Sequence, residues 1–171
     1  YPGHLQGVAV DGDGNIFWAF TTVLVKSDAA GHVDKTIDVA SHHGDLTCRD
    51  GQILVAVNLG QFNQPAGKAD SWIYVYRAND LGFVAKHPVP QVVHGAGGMA
   101  HDGDRLMVVG GLPIGTKENY VYEYDQRYEF VRGDPGQRDS NARSARPGHS
   151  GAEIAHARPI RDIGYGQHLS G

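Results

Sequence analysis

A module of roughly 40–50 residues is written three times in the first 131 positions of this 171-residue chain, and a repeat of that length restricts the fold before any element is assigned. Residues 4–20 (HLQGVAVDGDGNIFWAF) return as residues 43–57 (HGDLTCRDGQILVAV) and again as residues 94–109 (HGAGGMAHDGDRLMVV). Each copy opens on a His and continues through a short apolar run, an Asp-Gly pair (Asp13-Gly14, Asp50-Gly51, Asp102-Gly103) and a second apolar run. Asp-Gly between two such runs predicts a hairpin, because the tight turn needs positive φ at both central residues. The later half of each module repeats as well, in residues 23–33 (VLVKSDAAGHV), 72–84 (WIYVYRANDLGFV) and 120–131 (YVYEYDQRYEFV). Ile73 and Val75 alternate with Tyr74 and Tyr76, and Val121 with Tyr120, Tyr122 and Tyr124, as in strands packed between neighbouring sheets.

Four antiparallel strands per module make each module a blade of a β-propeller, in which sheets stack face to face around a channel. The expected fold is therefore all-β, a partial propeller of about three four-stranded blades at residues 4–39, 43–90 and 94–131. Gly, at 24 of 171 residues, is twice as frequent as the usual ~7%, which suits a turn-rich β protein. Three blades do not close a ring, so each end presents an unpaired strand edge and an apolar face that something must cover. Further sequence, self-association of a second copy through the open blade edges, or the tail could supply the cover.

That tail, residues 132–171, has six Arg against four acidic residues, whereas the first 131 residues carry nine basic and fifteen acidic ones. The stretch 132–148 has too little apolar area to offset ordering entropy, so an irregular, low-order tail is expected there. A departure from the reading frame near Arg132 is a second reading of the abrupt end of the blade pattern. No apolar run approaches the ~18 residues of a membrane span, and a pI near 6.2 gives no basic face for nucleic acid; neither partner is expected. Cys48 stands alone and allows no internal disulfide. The chain begins at Tyr1 without Met, a charged n-region or an apolar h-region, so a mature product or a fragment is expected. Any targeting signal would have been removed, which fits a soluble, secreted or periplasmic protein and leaves localisation open.

The run Asp11-x-x-Gly14-Asn15-Ile16-Phe17-Trp18 and the turn Lys26-Ser27-Asp28-Ala29-Ala30-Gly31 resemble six-bladed propellers of the NHL-repeat and gluconolactonase-like kind. The resemblance covers about residues 4–131. It implies a family that includes lactonases using a calcium or zinc ion, lyases and binding platforms. It also implies an oxygen-rich metal site of Glu, Asn and Asp on the channel axis. The first Glu in this chain is Glu118, so the early acidic ligand of such a site has no counterpart.

In a propeller the loops leading into each innermost strand and the loops joining the two middle strands share one face. The leading loops bring His4, His42-His43-Gly44-Asp45 and His94 toward one mouth, and the middle loops 58–71 and 110–119 are long in the second and third blades. Extra loop length on one face marks a binding side. The expected ligand-binding residues are His43, Asp45, Asn58, Phe62 and His94, for a small polar ligand of sugar or sugar-acid character. His4, His43 and His94 are the candidate ligands of one divalent metal ion, because neutral imidazole is the commonest transition-metal ligand. A metal-assisted hydrolase or lyase would use His43 as its candidate catalytic base. Alternatively these histidines hydrogen-bond neighbouring backbone, the chain serves as a protein-interaction platform, or His42 replaces His43 after a one-residue register change. Trp18, Trp72 and the tyrosines at 74, 76, 120, 122 and 124 read as inter-blade packing.

Overall fold

The computed structural model describes residues 1, 3–116 and 119–133, and these contain twelve strands. Blade 1 holds β1 (Leu5–Val10), β2 (Ile16–Phe20), β3 (Val23–Ser27) and β4 (Val33–Asp38). Blade 2 holds β5 (His43–Arg49), β6 (Gln52–Asn58), β7 (Ser71–Arg77) and β8 (Phe83–Pro88). Blade 3 holds β9 (Ala96–Asp102), β10 (Arg105–Gly110), β11 (Val121–Tyr124) and β12 (Phe130–Arg132). Each blade is a four-stranded antiparallel sheet whose strands lie side by side in chain order. The all-β partial propeller expected from the repeat is the observed fold. No helix among the described residues is long and apolar enough to cross a membrane. The segment expected as a tail, apart from Arg132 in β12 and the buried Gly133, lies outside the described residues.

The Asp-Gly turns all fall between the first two strands of a blade, but they are not alike. Asp50 (φ 50°) and Gly51 (φ 70°) are both left-handed, the geometry expected for a two-residue turn. In blade 3 only Gly103 (φ 53°) of the Asp102–Arg105 turn is left-handed, and in blade 1 the turn is longer. There the Asp11 carboxylate accepts the amides of Asp13 (3.0 Å) and Asn15 (2.9 Å), with Gly14 left-handed three residues on. The same device recurs at two outer hairpins. Asp28 accepts from Ala30 and His32, and Asp125 from Arg127 and Glu129. A short carboxylate reaches its own backbone two and four residues ahead, which fixes the turn locally.

Packing follows the strand period of two. Along β6, Ile53, Val55 and Val57 face blade 1 and join a buried cluster with Phe17, Ala19, Leu24 and Tyr76. The intervening Leu54 and Ala56 face blade 3, packing with Ile73, Leu106, Val108, Tyr122 and Tyr124. Blade 2 is thus covered on both sides, and all residues from Ile53 to Asn58 are buried. Each fully buried aliphatic side chain of this size contributes roughly 1.5–3 kcal/mol. Trp72 and Tyr74 pack against the blade 1–2 cluster, as expected for inter-blade aromatics. Trp18 does not. It pairs across the sheet with Val8 and Val25 on the face of blade 1 turned away from blade 2, its indole donating to the Ser27 hydroxyl at 3.0 Å.

Candidate functional site

The leading and middle loops meet at one end of the molecule, because inner and middle strands start and stop at the same level. Thr21, in the two-residue turn of blade 1, donates its amide to the His4 carbonyl and accepts at its own carbonyl from the His43 amide. Blade 2 adds a longer feature: residues 58–71 continue the β6–β7 hairpin past the sheet, with Leu59 donating to Asp70 and Gln61 to Lys68 (both 2.8 Å). The Asn58 side chain ties its base, accepting from the Gly60 and Asp70 amides and donating to the Gly60 carbonyl.

The tip of this extension bends across the loop leading into blade 3. The Asn63 amide donates to the His94 carbonyl (3.1 Å), its side-chain oxygen accepts from the Leu112 amide (2.7 Å), and His94 Nδ1 donates to the Gln64 carbonyl (2.9 Å). Phe62 lies half-buried over Gly95 and Gly97, where a Cβ would come within 2.5 Å and 2.8 Å of its ring. Gly95 is also left-handed (φ 98°), so the glycines serve close approach of the aromatic ring. The His42 ring stacks on Phe62 with centroids 5.7 Å apart. His42 Nδ1 is buried and has no hydrogen-bond partner among the described residues.

Not every expected site residue faces this mouth. The side chain of His43 is fully buried between blades 1 and 2, against Tyr74 and Tyr76. Its Nδ1 meets the Ala40 carbonyl at 2.6 Å, which only accepts, so Nδ1 carries the hydrogen and Nε2 accepts from the Tyr76 hydroxyl at 2.7 Å. Burial pushes its pKa down to about 4. Both ring nitrogens are used, so the expectation of His43 as metal ligand or catalytic base is corrected: it is a core histidine. Asn58, expected to contact ligand, is buried and braces the hairpin extension instead. His4 is exposed and is tied in by its backbone amide, 3.2 Å from the Thr21 hydroxyl. No group of three His, Cys, Asp or Glu side chains arranged to hold a metal ion occurs among the described residues, so the expected His4–His43–His94 set is not assembled.

Asp45 lies where the inner strands converge. Gly7 of β1 sits so close that a Cβ there would overlap it, and its carboxylate accepts from the Leu46 amide (2.9 Å) and the Met99 amide of blade 3. Burial raises its pKa despite those bonds. The side chains brought together at this end are therefore His42, Phe62, Asn63 and His94, with Asp45 deeper, where β1, β5 and β9 converge. Asn63 carries no signal in the sequence beyond its position in a long loop. At the opposite end a cavity of about 120 Å³ lies between the turns of blades 1 and 2, lined among others by Asp11, Cys48, Arg49 and Asp50.

No family model matches the chain, and no curated protein matches it. Solved structures do. BamB from Moraxella catarrhalis superposes with a TM-score of 0.51 at 16% identity, over 77% of this chain and 37% of that one. A protein of unknown function from Bacteroides caccae gives 0.50 at 13% identity, over 77% and 46%. The computationally designed protein Ika8 gives 0.50 at 10% identity, over 80% and 38%. These likenesses concern the fold, and the chain spans less than half the length of each.

Proposed function

We propose that this partial propeller is a binding module for a small polar ligand, of sugar or sugar-acid character, held at the loop face of blades 2 and 3. The observation that carries the reading is the buried Nδ1 of His42 without a partner among the described residues, in a ring stacked on Phe62. A buried polar atom left unpaired costs free energy, about 1–3 kcal/mol, which a ligand hydroxyl or carboxylate would recover once a small turn of the ring brings that nitrogen to the mouth. His94 and the exposed Asn63 and Gln64 surround the same place with further polar groups. Phe62 acts as a positioning residue: it orients His42 and closes the space above Gly95 and Gly97. The half-buried Asp45 is the deepest polar group in reach of the axis.

The test is titration of the chain with gluconate and with galacturonate, followed by calorimetry and by the His ring resonances. Binding of either acid is expected, weakened at least tenfold in His42→Ala and in Phe62→Ala and unchanged in Phe83→Ala, which alters an exposed ring on the outer strand of blade 2. Absence of binding by both acids, or equal affinity in His42→Ala, overturns the reading.

A further inference from the structure

The three blades share one alternation, and it continues past both ends of the stack. Ile53, Val55 and Val57 of β6 face back toward blade 1, and Leu106 and Val108 of β10 face back toward blade 2. The repeat places Ile16, Trp18 and Phe20 of β2 at the equivalent positions, and these face away from blade 2; each is only part-buried, with the Tyr1 ring against Phe20 (4.9 Å) and Val23 and Val25 paired beside them in β3, and no further blade among the described residues packs on them. Beside them Val8 and Val10 are 50% and 59% exposed. The forward-facing set is Phe17 and Ala19 in blade 1, Leu54 and Ala56 in blade 2, and Met107 and Val109 in blade 3. The last pair again faces away from its neighbour, beside Ala100 and Val121. The charge on that face is already matched within it, since Glu123 is paired with Arg105 (3.2 Å) and with Arg132.

We infer that the occupant of these faces is a second copy of this chain, the rear face of blade 1 in one copy packing on the forward face of blade 3 in the other. The ground is continuity with the interfaces already present: the two open faces are opposite halves of the blade-to-blade contact that is made twice inside the chain. An apolar sheet face that lacks the neighbour its repeat equivalents have is the kind of surface that marks an interaction site. A head-to-tail contact generates a ring when its rotation closes, and two copies supply six blades with every face covered. This inference concerns the sheet faces and is independent of ligand binding at the loops.

Sedimentation of the 171-residue chain across a tenfold range of micromolar concentration tests it. One species of twice the monomer mass is expected. Trp18→Glu on the rear face and Val109→Glu on the forward face should each give monomers with an unchanged far-ultraviolet β spectrum. Mixing the two variants should restore a dimer, because the intact rear face of one meets the intact forward face of the other. A wild-type monomer, a ladder of open polymers, or a dimer that survives either single substitution overturns the inference. If a glutamate variant loses its β spectrum, the wild-type mass alone decides.

Discussion

His43 shows how a single residue can be visible in sequence and still be misassigned in role. Its place at the start of β5 is legible from the repeat; the direction of its side chain is not, because the ladder with β6 slips between His43 and Leu46. That irregularity turns His43 toward Tyr76 and gives the mouth to His42, the alternative that a one-residue register change would produce. Burial makes His43 a pH-dependent element of stability. Its folded pKa of about 4 lies below the ordinary 6.5, so below pH 6.5 the unfolded chain takes up a proton that the folded chain refuses. Stability at this site is therefore complete above pH 6.5 and falls as the pH drops toward 4, by up to about 3 kcal/mol. The half-buried His87, stacked on Tyr128, is shifted in the same direction, again by burial. Urea unfolding between pH 7 and pH 4 should show a clear loss of stability that His43→Gln reduces without abolishing. An unaltered slope in that variant would mean that His43 is not the group responsible.

At the scale of elements, the sequence is most informative where structure is determined locally. The carboxylate turns at Asp11, Asp28 and Asp125 and the left-handed Asp50-Gly51 pair are closed by bonds within five residues, so their signals survive in any context. The hairpin extension 58–71 is different. Its length is legible, but its inward bend depends on bonds from Asn63 to the loops of blade 3, about 30 and 50 residues away in the chain, and on two glycines that admit Phe62. Because Leu59 and Asp70 already form a backbone pair, residues 60–69 can be replaced by Asn-Gly as a two-residue turn. Thermal unfolding of that variant should stay within a few degrees of the parent, since the deleted segment is almost wholly exposed. Binding of gluconate or galacturonate should be lost. Retained binding would move the site away from this extension.

For the molecule as a whole, the repeat makes equivalent positions comparable, and the comparison measures what covers each blade. Ile53 and Ile16 occupy the same place in β6 and β2; Ile53 is fully buried against blade 1, while Ile16 lies on the open face. Replacing a fully buried Ile by Ala removes its transfer energy and leaves a cavity, so Ile53→Ala should cost about 2–5 kcal/mol. In the Val109→Glu background, where the forward face is spoiled and copies cannot join, Ile16→Ala should cost less, about 1–2 kcal/mol, because Ile16 is only part-buried beside the exposed Val10. In the wild-type background a face covered by another copy makes Ile16 a core residue, and the cost of the same substitution rises toward that at Ile53. Denaturation at fixed protein concentration reads both numbers. Equal costs for Ile16→Ala in the two backgrounds would show that the rear face of blade 1 stays bare, so that a stack with no closure must keep its ends apolar at its own expense.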